Sequence, residues 1–535
     1  MKILAYNPGH DGAVVLIEGS RLRYVLEAEK DDGRRFSPMS PTLFLRSLQH
    51  EEPPDVVAIS GYLRRWFGSG PVEAPASPLA RVEAGYLEEG PEGKTAEETL
   101  VYGRRVKRFS SSHVRSHIMC AYGLSSFPQG KPCYALIWEG ALGALYHVDE
   151  EVRIRKIGDI LSAPGSRYQL LYALADPTLA IQDEQWNRLE DAGKLMALAA
   201  YGRPGTPTDE QREVVERLLS LDVLASFNPP TPKSKLKDSR FFNIGVETQE
   251  LKDAAWQLSV ALFDRFYQFA KAHVSGRQPL IIAGGCGLNC DWNSQWRECG
   301  LFSDVFVPPC ANDSGVALGA AIDALHHYTG RAKVEWDVYA GEDFIDDVAE
   351  AADFVRTPLS LAEVCVALLN GEVIAWAQGR YEMGPRALGN RSLLAAPFST
   401  ESRDKLNRIK QREPFRPIAP ICLEEDMGLH FDPPLPSPHM LYFQRVKSPQ
   451  LAAITHVDGS ARAQSVNERD NPKMYNLLRK FREFSGFGVL CNTSLNFKGF
   501  GFINRTSQLL AYARDRGLDG AVVGTTLWRR RQRGG

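Results

Sequence analysis

A pair of apolar segments joined by a short turn occurs twice in this chain, and each turn carries glycine and an acidic residue. The first pair is "KILAY" and "AVVLIEG", joined by "NPGHDG" and followed by a third apolar segment, "LRYVLEAE". The second pair lies within residues 133–149, "CYALIWEGALGALYHVD". Short apolar runs bounded by turn residues predict β-strands, so each copy is expected to begin with strands joined by tight turns.

Helices are predicted further along the chain after each set of strands. Residues 249–274 repeat leucine and phenylalanine at helical spacing. "NDSGVALGAAIDALHHYTG" predicts another helix, which begins near Asn312 or Asp313 and ends at Gly330. Strand hairpins followed by helices, twice in one chain, are typical of a duplicated ribonuclease-H-like α/β domain, the architecture of actin and sugar kinases.

A second domain is expected because 535 residues are too many for one ordinary core. Residues 331–359 are acidic and lack a strong strand pattern, so we interpret them as the join. Beyond it, "LAEVCVALLNG" predicts a helix and "EVIAWAQG" a strand. The predicted domains are therefore residues 1–345 and 360–535.

Basic residues concentrate in the second domain. "QGRYEMGPRALGNRSLLAAP" and "KLNRIKQREPFRPIAP" together hold eight of them, with the centre at Arg386, Arg391, Lys410, Arg412 and Arg416. Glycine and proline neighbours fix the backbone around these arginines, and rigid arginines suit bidentate binding of phosphate. The sequence favours an anion site here, with structural ion pairs as the alternative.

Two later motifs extend this candidate site. Arg462 follows a glycine turn in "HVDGSARAQSV", and "GVLCNTSLNFKG" predicts a strand that ends in small polar residues. Asn492 and Ser494 in that strand are able to donate to a phosphate or carbonyl oxygen. An ordinary turn is the alternative for each motif taken alone.

Histidines supply the candidates for metal binding and proton transfer. His113 and His117 would lie one turn apart on one helix face, and a carboxylate from a distant loop would complete a set that suits iron. The alternative is a polar spot on an amphipathic helix. His10 in "PGHDGA" is a candidate general base, with a solvated turn histidine as the alternative. For Asp313 the alternative is a helix N-cap.

Composition limits the partners. The net charge of −2 gives no bulk attraction for nucleic acid or a membrane surface. No apolar run reaches membrane length, and the N-terminus lacks a signal-peptide pattern. The nine cysteines lack zinc-finger spacing, which fits reduced thiols. We therefore expect a cytoplasmic protein with neither a nucleic-acid nor a membrane partner.

Motifs along almost the whole chain occur in a fixed order. They are "GHDGA", "SSHVRSHIMCAYGLS", "GKLMALAAYG", "GGCGLN", "NDSGVALGAA", "GPRALGNRS", "KQREPFRPIAP", "HVDGSARAQSV" and "NTSLN". In this order they resemble the O-carbamoyltransferase family, which includes nodulation and antibiotic-biosynthesis carbamoyltransferases.

The resemblance implies an actin/sugar-kinase-like first domain that binds a divalent metal, commonly Fe²⁺. The implied metal ligands are His113, His117, Asp313 and the acidic residue of the second hairpin turn. That last residue is Glu139 here, where the family usually has aspartate. The second domain would be YrdC-like and would handle carbamoyl phosphate and ATP, the latter with Mg²⁺.

The implied reaction begins with cleavage of carbamoyl phosphate to carbamate and phosphate. Carbamate then attacks the α-phosphate of ATP, which gives carbamoyladenylate and releases pyrophosphate. The carbamoyl group passes to an acceptor hydroxyl, whose proton His10 takes, and AMP leaves. The residues implied to bind the phosphates are Arg386, Lys410, Arg416 and Arg462. Asn492 and Ser494 would position the carbamoyl group. The residues implied to bind the adenylate or the acceptor are Asp11, Gly284, Gly285 and Asn289.

The expected acceptor is a small-molecule natural product, such as the hydroxymethyl group of a cephem antibiotic intermediate. One alternative is a tRNA threonylcarbamoyl-type transferase of the same fold group, which the near-zero net charge disfavours. The other is a non-catalytic actin-like ATP-binding protein, which has no use for the arginine-rich domain. The sequence leaves open the role of Lys194, and which of Lys30, Arg34 and Arg35 the family's basic residue matches.

Overall fold

The chain divides into two compact units in the computed structural model. The described residues are 1–48, 53–61, 90–101, 103–179, 189–221 and 233–531. The first unit comprises residues 1–129, 308–455 and 459–535, and the second comprises residues 130–307 and 456–458. The chain thus leaves the first unit and returns to it. The domain boundaries expected from the sequence, at residues 345 and 360, stay a prediction.

The first unit opens with a mixed sheet. Its strands are β1 Lys2–Asn7, β2 Ala13–Glu18, β3 Arg21–Glu27, β4 Val56–Ser60, β5 Lys94–Val101 and β6 Arg104–Ser111. They lie in the order β3-β2-β1-β4-β6-β5. β1 pairs antiparallel with β2 and parallel with β4, so the turn with His10 lies at one end of the central strand. The predicted opening meander is confirmed.

Four helices accompany this sheet. They are α1 Ala28–Asp31, α2 Pro41–Ser47, α3 His113–Leu124 and, far along the chain, α9 Val316–Thr329, preceded by the 3₁₀ helix Asp313–Gly315. α9 ends at Gly330, as predicted, with a left-handed φ of 75°. α9 packs closely on α3, because a Cβ at Gly319 would lie 1.7 Å from the carbonyl oxygen of Ser116.

The second unit contains its own five-stranded sheet. Its strands are β7 Cys133–Trp138, β8 Leu142–Val148, β9 Ile154–Ser162, β10 Leu280–Ala283 and β11 Val305–Phe306, in the order β11-β10-β7-β8-β9. β7 pairs antiparallel with β8 and parallel with β10, as β1 does with β2 and β4. β5 aside, both sheets therefore follow one topology, which confirms the predicted repeat of the strand pattern, while the assignment to a ribonuclease-H-like fold stays a prediction.

Helices cover this second sheet. They are α4 Pro164–Ala175, α5 Glu190–Ala199, α6 Asp209–Ser220, α7 Gln249–His273 and α8 Cys290–Glu298, with 3₁₀ helices at Lys233–Leu236 and Gly285–Leu288. α7 matches the helix predicted over residues 249–274. Thr248 caps it by accepting from the backbone N–H of Leu251.

The rest of the first unit is built on an eight-stranded sheet. Its strands are β12 Phe354–Pro358, β13 Ile374–Ala377, β14 Arg391–Ala395, β15 Ala419–Leu423, β19 Gln464–Val466, β20 Val489–Ser494, β21 Gly520–Val523 and β22 Thr526–Arg530. A small separate sheet consists of β16 Phe431–Asp432, β17 Gln444–Val446 and β18 Ser460–Ala461. The helices are α10 Leu361–Leu369, α11 Thr400–Ile409, α12 Met427–His430, α13 Pro472–Ser485 and α14 Thr506–Arg516, with a 3₁₀ helix at Glu424–Asp426.

One strand lies within the predicted join. β12 pairs antiparallel with β22, and only Phe354 of its five residues is buried. An edge strand with a single buried residue has no apolar run, so its sequence carries no strand pattern. The weak strand pattern of residues 331–359 therefore agrees with the structure, although the segment does contain this one edge strand.

None of the helices that the structure describes is long and apolar enough to cross a membrane.

His439 should make the fold sensitive to acid. Burial lowers the pKa of His439 to about 4, although Asp470 offsets part of the effect. At pH 5 the unfolded chain binds a proton at this residue and the folded chain does not, so stability is lost as the pH falls from about 6.5 to about 4. Urea unfolding should show a loss of about 2 kcal/mol between pH 7.5 and pH 5 that His439→Gln removes. An equal acid loss in the variant would contradict this assignment.

Candidate functional site

Two buried histidines face each other at the start of α3. Ser112 caps this helix by accepting from the backbone N–H of Arg115, so His113 and His117 stand on its first turns. Each is 1% exposed, and their Nε2 atoms lie 3.2 Å apart. His113 Nδ1 lies 3.3 Å from the carbonyl oxygen of Gly61. With Nδ1–H donated there, the Nε2 lone pair points toward His117.

Asp313 completes a three-residue group with these histidines. Its Oδ1 lies 3.2 Å from His117 Nε2 and 3.8 Å from His113 Nε2. The carboxylate thus faces imidazoles, and the N-cap alternative for Asp313 is wrong, since the first turn shows no side-chain cap. The alternative for the histidines, a polar spot on an ordinary amphipathic helix, is not what the geometry shows.

The charges of this group fit a divalent cation. Burial alone would raise the pKa of Asp313, but His10, His113 and His117 hold it well below its usual range. A desolvated carboxylate beside two imidazole nitrogens is a donor set that suits iron or a similar divalent ion. The residues present therefore fit the metal that the sequence predicts.

His10 stands between two carboxylates. Its Nε2 lies 3.1 Å from Asp313 Oδ2, and its Nδ1 lies 3.1 Å from Asp11 Oδ2. Asn7 stiffens the turn, since its side-chain amide donates to the carbonyl oxygens of His10 and Asp313 at 3.0 and 3.3 Å. A histidine oriented by carboxylates on both ring nitrogens is suited to taking up a proton.

The second unit holds the other residues predicted for this site. Glu139 follows β7 directly and is 3% exposed. A Cβ at Gly284 would lie 2.5 Å from the carbonyl oxygen of Trp138, so glycine is required where this loop meets the strand end. The Cys286 thiol has a raised pKa because of burial and then the Glu139 carboxylate. Glu139 and the "GGCGLN" loop therefore lie together within this unit.

Asn289 has a structural task of its own. Its side-chain oxygen caps α8 by accepting from the backbone N–H groups of Asp291 and Trp292 at 3.1 and 3.4 Å. The roles of Glu139 as a metal ligand, and of Gly284, Gly285 and Asn289 in adenylate or acceptor binding, stay predictions.

Lys410 is the centre of a buried basic group in the first unit. Its ammonium donates to the carbonyl oxygens of Ser494 and Asn496 at 2.7 and 2.8 Å. Burial lowers the pKa of Lys410 well below its usual value, and Arg412, Arg416, Arg35 and Arg516 lower it further. The surroundings of this lysine are therefore strongly positive.

Arginines of the same group repel one another. Burial lowers the pKa of Arg412 to about 9, with further contributions from Arg416 and Arg462. Nε of Arg462 is buried and has no hydrogen-bond partner among the described residues. Glu413 is the carboxylate near Arg416, at 3.8 Å. Cations that lower one another's pKa are stabilised when an anion binds between them, as the predicted phosphate site requires.

Asn492 and Ser494 end β20 beside this group. The Asn492 amide donates to the carbonyl oxygen of Ala387 at 3.1 Å and to Gln464 at 3.2 Å, while its Oδ1 is buried and finds no donor among the described residues. The Ser494 hydroxyl donates to Asn496 Oδ1 at 2.6 Å. Asn492 is thus arranged to accept a hydrogen bond, whereas the sequence suggested donation. Ala387 directly follows Arg386, so the strand end supports the arginine-bearing loop.

Arg391 does not belong to the anion site. It is fully buried, and burial lowers its pKa to about 10. Its guanidinium donates to the side-chain oxygen of Asn504 at 2.7 Å. It also donates, at 2.7–3.3 Å, to four backbone carbonyl oxygens, those of Gln378, Asn390, Gly379 and Glu342. Because every N–H group of its guanidinium donates to a protein acceptor, Arg391 connects neighbouring loops. The prediction that it belongs to the phosphate site is wrong.

The structure separates the basic residues that the sequence left open. Lys30 is buried and donates to carbonyl oxygens, Arg34 is exposed, and Arg35 pairs with Glu29 at 3.0 Å. Arg35 also lines a small polar cleft of the first unit, with Asp11, Glu29, Asn312, Ser314 and Pro385. Of the three residues, Arg35 is therefore the one that lines this cleft beside the site.

Lys194 is held by its own helix. It pairs with the fully buried Asp191 at 2.8 Å and lies over the ring of Tyr172. These contacts account for its position within the second unit.

Sequence reasoning missed Glu382. This carboxylate is fully buried at the start of the segment that carries Arg386. A signal for it exists, since Glu382 is the only acidic residue between Glu372 and Glu401, a stretch with three arginines.

Two family models match successive parts of the chain. The model "Carbamoyltransferase N-terminus" matches residues 87–322, and "Carbamoyltransferase C-terminus" matches residues 365–530. The chain is 47% identical to a 3'-hydroxymethylcephem-O-carbamoyltransferase of Streptomyces clavuligerus, and 48% identical to one of Amycolatopsis lactamdurans, over 99% of both chains in each case.

More distant relatives also align along most of the chain. Nodulation protein U of Rhizobium tropici is 33% identical, covering 96% of this chain and 94% of that protein. A solved structure, the activator of the 2-hydroxyisocaproyl-CoA dehydratase from Clostridium difficile with bound ADPNP, is 12% identical with a TM-score of 0.34, covering 62% of this chain and 96% of that chain. This TM-score is too low to support an inference.

Proposed function

Because this chain belongs to the carbamoyltransferase family, we propose that it transfers a carbamoyl group from carbamoyl phosphate, with ATP, to the hydroxymethyl group of a cephem. Identity of 47–48% over almost the full length with two 3'-hydroxymethylcephem-O-carbamoyltransferases supports this acceptor. The observation that carries the ATP and carbamoyl phosphate chemistry is the buried basic group around Lys410, whose cations depress one another's pKa. Such a group is suited to polyanionic substrates.

The proposed architecture matches this activity. The two sheets of one topology would form an actin/sugar-kinase-like domain, and the eight-stranded sheet would belong to a YrdC-like domain. The enzyme would act on a small molecule in the cytoplasm, with neither nucleic acid nor a membrane as partner.

Adenylate formation would take place beside Lys410. Arg386, Arg416 and Arg462 would bind the phosphates of carbamoyl phosphate and of Mg²⁺-bound ATP. Their positive charge would neutralise the charge that develops as carbamate attacks the α-phosphate and pyrophosphate leaves. Oδ1 of Asn492 would accept from the carbamoyl amide, and Ser494 would help to orient that group.

Transfer would take place beside His10. A divalent metal, Fe²⁺ by this donor set, would be held by His113, His117, Asp313 and the predicted ligand Glu139, and when bound it supplies a Lewis acid for the carbamoyl carbonyl. With Nδ1–H of His10 donated to Asp11 and the Asp313 carboxylate turned toward His113 and His117, Nε2 of His10 would carry the lone pair that accepts the proton of the acceptor hydroxyl. Asp11 then stabilises the imidazolium, as carboxylates do beside catalytic histidines. Asp11 and the "GGCGLN" loop would line the adenylate and acceptor site.

Pyrophosphate exchange tests the proposed function. The protein is incubated with ATP, labelled pyrophosphate and carbamoyl phosphate. We expect label to enter ATP only when carbamoyl phosphate is present, because reversal of adenylate formation is the step that consumes pyrophosphate. Exchange that is absent, or that proceeds without carbamoyl phosphate, would contradict the adenylate route.

The acceptor is tested separately with two matched cephems. A 3'-hydroxymethylcephem should yield an O-carbamoyl ester detected by mass spectrometry, while the 3'-methyl analogue without the hydroxyl should remain unchanged. If pyrophosphate exchange occurs but no ester forms, the adenylate route is supported and the cephem is rejected as the acceptor.

A further inference from the structure

The segment that carries Arg386 is closed around a buried carboxylate. Glu382 Oε1 accepts from the backbone N–H groups of Leu388 and Asn390 at 2.7 Å each, and of Arg391 at 3.2 Å. Three backbone donors on one oxygen fix the path of the chain from residue 382 to residue 391. We name this segment the arginine loop.

The arginine loop is also held from outside, by the end of β3 and the start of α1. Lys30 Nζ donates to the carbonyl oxygens of Glu382 and Gly384 at 2.5 and 2.8 Å. Glu27 Oε1 accepts from the backbone N–H of Gly384 at 2.8 Å. One pair of side chains therefore binds the peptide groups on both sides of Gly384, directly before Pro385 and Arg386.

Lys30 and Glu27 form an ion pair that is almost completely removed from water. Their side chains are 0% and 3% exposed. Lys30 also lies over the rings of Tyr381 and Phe502, at 5.1 and 4.8 Å from the ring centroids. Buried ion pairs are poor stabilisers, because desolvation offsets much of their attraction. A contribution to folding stability alone therefore does little to explain the Lys30–Glu27 ion pair.

Gly384 shows how tightly this place is packed. Its φ is 85°, and a Cβ there would lie 2.2 Å from the carbonyl oxygen of Pro309. Pro309 lies four residues before Asp313 in the chain. Glu27 and Lys30 therefore bind the arginine loop at the point where it contacts the segment that leads to Asp313.

We propose that Glu27 and Lys30 are positioning residues, which fix the backbone at Gly384 so that Arg386 is held ready to bind phosphate. This inference rests on the proposed function, in which Arg386 binds a phosphate. Neither residue touches substrate in this account. Misplacement of a binding group by about 1 Å costs up to about a hundredfold, so a loosened loop should weaken phosphate binding measurably.

The test uses the double variant Glu27→Gln/Lys30→Met in the full-length protein. Removal of Lys30 alone would strand a buried carboxylate and risks unfolding, whereas the double change leaves a neutral pair of similar volume. The amide that replaces the Glu27 carboxylate retains one oxygen, which still accepts from the backbone N–H of Gly384. The two hydrogen bonds that Lys30 donates would be lost.

Lys333→Met is the matched control. Lys333 likewise donates to backbone carbonyls and lies over an aromatic ring, but its partners are Tyr122 and Ser125 at the end of α3. Both variants thus lose a lysine with similar contacts, and only the double variant loosens the arginine loop.

Two readouts are needed, the dissociation constant for pyrophosphate by calorimetry and the KM for carbamoyl phosphate in pyrophosphate exchange. In the double variant both should rise about tenfold while the exchange kcat changes less than about threefold. Lys333→Met should change neither. Unchanged binding and KM in a folded double variant would overturn the inference and leave the pair a structural one.

Failure of the proposed function would look different. Wild-type protein that binds pyrophosphate but exchanges none would contradict adenylate formation, while weaker pyrophosphate binding by the double variant would still support positioning. Wild-type protein that does not bind pyrophosphate would overturn both.

Discussion

His117→Ala is expected to lower carbamoyl transfer to the cephem on the order of 1,000-fold while pyrophosphate exchange stays within about threefold of wild type. His117 Nε2 lies 3.2 Å from both His113 Nε2 and Asp313 Oδ1, so its loss removes a central member of the donor set. The basic group around Lys410 draws on other residues and should still form the adenylate. The measurements are ester formation, exchange, and iron content after reconstitution with Fe²⁺.

A matched histidine in the same unit serves as the control. His327 is exposed at the end of α9, and His327→Ala should retain iron, exchange and transfer. Wild-type transfer by His117→Ala, with iron lost, would contradict the need for the metal. Iron retained at the wild-type level by His117→Ala would reject this histidine as a ligand.

Arg462→Ala is expected to lower carbamoyl phosphate-dependent exchange by about 100- to 1,000-fold without lowering the free energy of unfolding of the ligand-free protein. Arg462 contributes to the lowered pKa of Arg412, which shows that the two cations repel each other. Its buried Nε has no partner among the described residues. Removal of this side chain should therefore relieve repulsion in the free enzyme and remove a phosphate donor from the working one.

Exchange assays and urea unfolding measure the two effects side by side. Arg445 is the control, because it is exposed on β17 and pairs in register with Ser460, two residues before Arg462. Arg445→Ala should leave both exchange and unfolding unchanged. A marked loss of stability in Arg462→Ala would instead indicate a structural ion pair, the alternative that the sequence left open.

Local patterns were sufficient for much of the fold. Alternation of apolar runs and turn residues located β1, β2, β7 and β8, and leucine periodicity located α7, because these elements bury their apolar side chains in regular register. The three-residue group of His113, His117 and Asp313 also followed from the sequence, since helical spacing and a family resemblance identify residues that the chain brings together.

Other features depend on contacts between distant segments, which no local pattern records. Arg391 looks like its basic neighbours in sequence, yet it is surrounded by carbonyl oxygens that only the folded chain supplies. Lys30 and Arg35 are likewise similar in sequence and opposite in role, because one is enclosed by the arginine loop and the other borders the polar cleft. β12 has one buried residue and thus no periodicity to detect.

The division of the chain also sets the order in which the protein can be completed during synthesis. β1 and β4 emerge first, but α9, which packs against both, lies on the far side of residues 130–307. At ribosomal rates of roughly 5–20 residues per second, the opening sheet waits roughly ten seconds or more for that helix. Residues 130–307 hold the whole sheet of the inserted unit and are synthesised before the first sheet can close. A nascent chain therefore exposes apolar strands at its N-terminus for a defined interval, during which a chaperone has reason to act.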